Sequence, residues 1–124
     1  MPKFRRILWL ILFDQGLKQW VIYRGFFQLN QGIAFGWGSH WQWFWLIITL
    51  GVLIWFGIKF KFSWTVSLII SGGLSNWLDR ILRGGVVDYI SLPLLPVFNL
   101  GDGFIVAGVL SLMYSLIYGA NHSF

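Results

Sequence analysis

Two aspartates, Asp88 and Asp102, stand in an apolar stretch of the chain, "GGVVDYISLPLLPVFNLGD", and neither has a basic residue within four positions. An unpaired carboxylate is costly where water is scarce, so it either finds a partner or shifts its pKa and keeps a proton. Two such carboxylates placed together share a proton and can act as general base and general acid on a water molecule and a carbonyl group. We therefore predict that Asp88 and Asp102 form a functional pair.

The composition of the chain is that of a membrane protein. Its 124 residues are 57% hydrophobic and 10% charged, against roughly 25% charged residues in soluble domains. A spanning helix needs about 20 predominantly apolar residues, and the chain has room for four. We predict an all-α membrane protein with a single domain, residues 1–124, and four transmembrane helices. These helices are expected at about 5–23, 41–58, 62–82 and 97–118.

Basic residues predict how the helices cross the membrane. They gather before the first helix and between the second and the third: Lys3, Arg5, Arg6, Lys59 and Lys61. Because short loops rich in Lys and Arg stay in the cytoplasm, we expect both termini there. Counting residues along the helices then brings Asp79, Asp88 and Asp102 close to the outer face of the membrane.

Several other kinds of site find no support in the sequence. The nine basic residues form no basic face, so no nucleic-acid partner is predicted. The chain has no cysteine, and its two histidines, His40 and His122, are too far apart for a histidine metal cluster. Neither a metal nor a cofactor is predicted.

Further polar residues fall at helical spacings. Asp14 and Lys18, at i and i+4, are predicted to form an ion pair within the first helix. The third helix carries polar residues on one face: Asn76, Asp79, Arg80 and Arg83. Asn99 lies one turn before Asp102. For the Asp14–Lys18 pair and for the polar face of the third helix, a polar network that ties helices together is the simpler interpretation.

Small residues recur at every fourth position of the last two helices. They are Ser67, Ser71 and Ser75 in the third, and Gly103, Ala107, Ser111, Ser115 and Gly119 in the fourth. Such stripes let helix backbones approach closely in lipid. We expect the third and fourth helices to pack along them.

Five short motifs in the chain resemble those of the lipoprotein signal peptidases, also called signal peptidase II: "DQGLK", "NQGIAFG", "GGLSNWLDR", "VVDY" and "FNLGD". The resemblance runs from about Asp14 to Asp102. It implies a bacterial intramembrane aspartic protease that cleaves prolipoproteins just before a diacylglyceryl-modified cysteine. The matching catalytic residues are Asp88 and Asp102, and the implied supporting residues are Asp14, Lys18, Asn30, Asn76, Asp79, Arg80 and Asn99.

The resemblance also implies the setting of the site. It predicts a monomeric multi-pass protein of the bacterial inner membrane, surrounded by lipid, with a small and reduced β-like cradle in the outer loop between helices 1 and 2. Gly101 replaces the alanine that is usual beside the second catalytic aspartate. Glycine lowers helix propensity by up to about 1 kcal/mol relative to alanine, so we expect a looser start of the fourth helix.

Three alternatives remain open from the sequence. A small four-helix proton-coupled transporter would use Asp14 as its membrane carboxylate, although such a mechanism wants its acid near the bilayer midplane. An inactive family member acting as a binding protein is a second alternative. In the third, the functional pair is Asp79 with Asp102, because the spacing of the acids does not by itself choose between Asp79 and Asp88.

Overall fold

The computed structural model describes residues 3–31, 42–60 and 64–119 of the chain. This part forms four helices, α1 (Lys3–Arg24), α2 (Gln42–Lys59), α3 (Trp64–Arg83) and α4 (Leu100–Tyr118), and two strands, β1 (Gln28–Asn30) and β2 (Val86–Asp88). The prediction of a mostly helical protein with a small sheet is confirmed. By length and hydropathy, α4 is the helix among these that is suited to cross a membrane, and the apolar part of α2, Trp43–Lys59, is slightly shorter.

α3 lies at the centre of the bundle and packs against α1, α2 and α4. Small residues form its buried face, and Ser67, Ser71 and Ser75 are fully buried. α4 crosses this face so closely that a Cβ atom on Gly72 would lie 2.2 Å from the carbonyl oxygen of Gly101. A side chain at Gly72 would therefore push the two helices apart.

The face of α4 that meets α3 differs from the predicted one. Gly101, Gly108 and Leu112 are buried, whereas Ala107 and Ser111 are exposed. A strict four-residue repeat drifts by about 40° per step around a helix of 3.6 residues per turn, so the predicted stripe leaves the interface. The seven-residue step from Gly101 to Gly108 drifts by only about 20° and stays on the same side.

β1 and β2 pair in antiparallel fashion, with Gln28 opposite Asp88 and Asn30 opposite Val86. β1 comes from the connection after α1, where the cradle was predicted, but its partner strand comes from the connection after α3. The pairing therefore fastens the first connection to the segment that carries Asp88. The remainder of the predicted cradle, residues 32–41, lies outside the described residues.

α4 begins at Leu100, three residues after the predicted start at residue 97. Asn99 has an extended backbone, with φ −132° and ψ 175°, and its side chain accepts a hydrogen bond from the N–H of Asp102. This is the geometry of an N-cap, which defines where a helix starts. The helix start and the position of Asp102 are consequently set by the same residue.

Candidate active site

Asn99 links the two aspartates of the predicted pair. Its Nδ2 donates a hydrogen bond to Oδ1 of Asp88 at 2.9 Å, and its backbone N–H donates to Oδ2 of Asp102 at 3.1 Å. Asn99 is itself fully buried. Asn99 thus connects the end of β2 with the first turn of α4.

Asp102 is also held from α3. Nδ2 of Asn76 donates to Oδ1 of Asp102 at 2.8 Å, and Oδ1 of Asn76 accepts from Nδ2 of Asn99 at 3.2 Å. The N–H of Asp102 donates to Oδ1 of Asn99 at 2.8 Å, which completes a capping box with the bond from Asn99 to Asp102. Each carboxylate oxygen of Asp102 therefore accepts an N–H from an uncharged amide.

Asp88 is the last residue of β2 and is 4% exposed. Burial, followed by the charge of Asp102, raises the pKa of Asp88 to about 6, while hydrogen bonds from Asn99 and Asn30 and the charge of Lys18 act in the opposite direction. A carboxyl group with such a pKa gains and loses its proton close to neutral pH. This property is the one that acid–base catalysis requires.

A second group of charged residues, the lysine cluster, lies between α1 and α3 and comprises Asp14, Lys18 and Asp79. Nζ of Lys18 lies 2.8 Å from Oδ2 of Asp14 and 2.8 Å from Oδ2 of Asp79, and all three side chains are fully buried. The predicted pair of Asp14 with Lys18 is present, and it is extended to α3. Nζ also donates to Oδ1 of Asn76 at 3.0 Å, which connects the lysine cluster to the Asp88–Asp102 pair.

Asp79 is bound by two cations, because Arg83 Nη1 lies 2.7 Å from its Oδ1 in addition to the contact with Lys18. Its Oδ2 also accepts the backbone N–H of Val87 at 3.1 Å. Asp79 therefore fastens β2 to α3 and fixes the strand that ends in Asp88. Asp79 is thus in direct contact with two cations, whereas Asp88 accepts a hydrogen bond from the amide of Asn99.

Asp14 joins α1 to the start of α4. Its Oδ1 accepts the N–H of Gly101 at 2.9 Å, and its Oδ2 accepts the hydroxyl of Ser75. The first N–H groups of a helix have no partner within the helix, and a carboxylate there is also favoured by the helix dipole. The start of α4, which the glycine was expected to loosen, is thus held by Asp14.

Gly101 also leaves space for this contact. A Cβ atom there would lie 3.0 Å from Oδ2 of Asp14 and 3.0 Å from Oδ1 of Asn99. Both distances are shorter than an ordinary van der Waals contact. The absence of a side chain at Gly101 lets the polar groups of three segments approach each other.

Gln15 is a contact residue that the sequence analysis missed. Its Nε2 donates to Oδ1 of Asp79 at 2.9 Å and to Oγ of Ser75 at 2.8 Å, and its Oε1 accepts from Nη1 of Arg83 at 2.9 Å. The available signal was the amide directly beside Asp14 in the motif "DQGLK". Gln15 links α1 to the polar face of α3.

Tyr89, directly after Asp88, was missed as well. Its hydroxyl oxygen accepts the N–H of Leu100 at 3.1 Å, which satisfies another free N–H at the start of α4. Burial is the main cause that raises the pKa of Tyr89 to about 12, so the hydroxyl stays protonated. Tyr89 adds a contact between the end of β2 and α4.

The two remaining supporting residues also reach the pair. Asn30, on β1, hydrogen-bonds Asp88 through its side chain. Arg80, on α3, is 9% exposed and lies within electrostatic range of Asp102 and Asp88. All the site residues predicted from the sequence therefore lie in one connected group at one end of the bundle.

Two proteins that are similar to this chain are both named lipoprotein signal peptidase. The protein from Caldicellulosiruptor bescii is 40% identical over 72 residues, which is 58% of this chain and 48% of that protein. The protein from Streptococcus thermophilus is 34% identical over 135 aligned positions, covering 89% of this chain and 88% of that protein. The chain thus aligns with about half of the first relative and most of the second.

A solved structure described as a bacterial membrane enzyme, determined by the in meso method at 2.3 Å resolution, has the same fold. It is 26% identical to this chain, with a TM-score of 0.76, and the match covers 96% of this chain and 89% of that one. The family model described as Signal peptidase (SPase) II matches residues 6–118. The motifs, the fold and these matches agree, and the chain belongs to the signal peptidase II family.

Proposed function

We propose that this chain is an aspartic endopeptidase that removes signal peptides from prolipoproteins by cleaving before a diacylglyceryl-modified cysteine. The observation that carries the proposal is the link between Asp88 and Asp102 through Asn99. Membership of a signal peptidase family supports the reaction class, and relatives named lipoprotein signal peptidase support the substrate class.

In the proposed mechanism Asp88 carries the proton and Asp102 acts as the base. Asp102 takes a proton from a water molecule, whose oxygen attacks the scissile carbonyl carbon. The proton on Asp88 forms a hydrogen bond to the carbonyl oxygen as negative charge develops there. When the C–N bond breaks, the leaving amine receives the proton that Asp102 took from water, and no covalent enzyme intermediate forms.

The supporting residues keep the two carboxyl groups in place without neutralising them. Asn76 and Asn99 donate to Asp102, and Asn99 and Asn30 hydrogen-bond Asp88. Amides can orient a carboxyl group in either protonation state more easily than a cation can, since a cation strongly favours the ionised form. Proton exchange at Asp88 near neutral pH is consistent with this arrangement.

We further propose a monomer whose single domain, residues 1–124, spans a bacterial inner membrane four times, with both termini in the cytoplasm. Arg5 and Lys59 belong to the start of α1 and the end of α2, whereas the sheet and the start of α4 belong to the opposite end of these helices. The positive-inside rule then puts the active site near the outer face. This level suits a substrate whose lipid-modified cysteine is held at the membrane surface.

Cysteine labelling tests this orientation. The chain has no native cysteine, so single variants at Ser91 and Lys59 report on two ends of the bundle. We expect Ser91→Cys to react with an impermeant thiol reagent added outside intact cells, and Lys59→Cys to react only after lysis. The opposite labelling pattern would invert the orientation.

The catalytic assignment is tested by Asp88→Asn and Asp102→Asn. Each amide keeps the shape of the side chain but removes one acid–base group, so we expect cleavage of a lipidated prolipoprotein peptide to fall by roughly 10²- to 10⁴-fold or more. Thermal unfolding in detergent should show that both variants remain folded. Cleavage close to the unmodified rate in either variant would remove that aspartate from the catalytic pair.

A further inference from the structure

The loop between β2 and α4 carries an exposed apolar turn, which we call the leucine tip, residues 92–96. Its three leucines, Leu92, Leu94 and Leu95, are 48%, 103% and 56% exposed. The turn also contains two prolines, and no charged residue lies between Asp88 and Asp102. We expect an apolar surface of this kind, within a few residues of a catalytic pair, to be covered by another molecule.

The leucine tip is a defined turn with a closed base. Ile90 and Phe98 exchange backbone hydrogen bonds of 2.8 and 3.0 Å, and the N–H of Leu95 donates to the carbonyl of Leu92 at 3.3 Å. Asp88 precedes this base by two residues, and Asn99 follows it directly. The leucine tip is therefore coupled to the Asp88–Asn99 contact through a short, paired segment.

Leu94 has an unusual backbone conformation. Its φ is 66°, the one positive value at a non-glycine residue in the described part of the chain. Glycine or asparagine adopts such a φ more easily than leucine does. The side chain of Leu94 is fully exposed, so packing within the protein does not compensate for the strain. The unfavourable conformation turns an apolar side chain outward, which indicates a contact outside the protein.

Lipid fits this turn better than water does. The tip leads within a few residues into α4, whose exposed face is apolar at Val106 and Leu110. The start of such a helix marks the boundary of the hydrocarbon layer. Pro93 and Pro96 have no backbone N–H, which reduces the number of donors left without a partner when the turn enters an apolar medium.

We propose that the leucine tip inserts into the outer leaflet of the membrane and sets the depth of the catalytic carboxyl groups relative to the lipid surface. This inference rests on the orientation given under the proposed function. A substrate cysteine that carries diacylglyceryl is held at one depth by its acyl chains. The insertion of the leucine tip holds Asp88 and Asn99 at a matching depth.

A fluorescent probe tests the insertion without reference to cleavage. Leu95→Cys, labelled with an environment-sensitive dye and reconstituted into phosphatidylglycerol–phosphatidylethanolamine vesicles, should show blue-shifted emission. The emission should also be quenched by lipids brominated near the headgroup end of their acyl chains. Gln28→Cys, an exposed polar position on β1, serves as the matched control and should be quenched by aqueous iodide instead.

Two outcomes would overturn the proposal. A Leu95 probe that behaves like the Gln28 probe would show that the leucine tip lies in water. A blue shift that disappears on dilution into excess lipid would show that the tip contacts a second copy of the chain. Because Asp88→Asn should leave the fluorescence unchanged, failure of the catalytic assignment is distinguishable from failure of the insertion.

A second variant connects insertion to function. Leu94→Asn introduces a residue that adopts the positive φ readily, and it removes the apolar side chain. We expect it to cleave a bilayer-embedded substrate severalfold more slowly while cleaving the same substrate in detergent micelles at the unmodified rate. Equal rates in bilayers, or an equal loss in both media, would contradict a role in setting depth.

Discussion

The lysine cluster and the Asp88–Asp102 pair are two acidic sites joined through the side chain of Asn76, yet they are held in opposite ways. Asp14 and Asp79 share the ammonium group of Lys18, and Asp79 also contacts Arg83. Asp88 and Asp102 are instead bound by the amides of asparagines. One pair contacts cations directly, and the other accepts hydrogen bonds from neutral amides, with Arg80 within electrostatic range.

This difference distinguishes acids that serve the structure from acids that are available for chemistry. Removing either partner of a buried ion pair leaves an uncompensated charge. Burial and the charge of Asp102 raise the pKa of Asp88 to about 6, although the hydrogen bonds from the amides of Asn99 and Asn30 act in the opposite direction. Acids within a membrane protein can therefore be sorted by the charge of their partners, even when burial is similar.

Lys18→Met provides the largest test of this contrast. It leaves Asp14 without its cation and Asp79 with Arg83 alone, all within the buried bundle. We expect a loss of about 3–5 kcal/mol in the free energy of unfolding. Chemical denaturation in detergent measures this loss. The matched control is Lys59→Met, at an exposed position, which should change stability by no more than about 0.5 kcal/mol.

The triple variant Asp14→Asn, Lys18→Met, Asp79→Asn sharpens the same test. Replacing all members of a buried charged group by neutral residues is often close to neutral for stability. We expect the triple variant to recover much of the stability lost in Lys18→Met. A triple variant less stable than the single one would mean that the lysine cluster stabilises the fold beyond charge compensation.

Asn99→Ala has a smaller expected effect on stability and a clear effect on rate. It removes the N-cap of α4, worth about 1 kcal/mol, together with the side-chain contacts to Asp88 and Asn76. Asn99→Ser is the control, because serine restores a cap but has no amide to donate to Asp88. We expect stability to recover in the serine variant while cleavage stays slow. Equal recovery of both would reduce Asn99 to a helix cap.

The smallest expected effect concerns pH. The hydrogen bond from Asn30 lowers the pKa of Asp88, so Asn30→Ala should raise that pKa above its present value. Because Asp88 must hold its proton in the proposed mechanism, activity falls as pH rises through this pKa. The alkaline limb of the kcat/KM profile should then move to higher pH in Asn30→Ala. Gln28→Ala, on the same strand, should leave it in place, and a shift to lower pH in Asn30→Ala would reverse the assignment.

Local spacing predicted the contacts that lie within one helix. The pairing of Asp14 with Lys18 and that of Asn99 with Asp102 both follow from residues one turn apart. Local spacing did not predict which polar residues make contacts between helices. Asp79 joins Lys18 across the bundle, and no spacing within α1 or α3 specifies how the two helices are rotated against each other.

The interface of α4 shows the same limit. A regular stripe of small residues predicted the wrong face, because the close crossing is made by Gly101 against Gly72. The second strand of the sheet was missed for a related reason: three residues, Val86–Asp88, carry too little pattern to be recognised without their partner. Family resemblance selected Asp88 over Asp79, and this choice stays a prediction that the Asp88→Asn variant tests.

The hydrogen bond from Gly101 to Asp14 has a consequence for the order in which the enzyme becomes active during synthesis. Asp14 and Lys18 emerge first and neutralise each other within α1, so the segment can enter the membrane before its later partners exist. The oxygen Oδ1 of Asp14 accepts its hydrogen bond from the N–H of Gly101, which is translated more than 80 residues later. A nascent chain shorter than this lacks the contact that holds the start of α4, so the proposed catalytic pair can assemble only after the last helix docks.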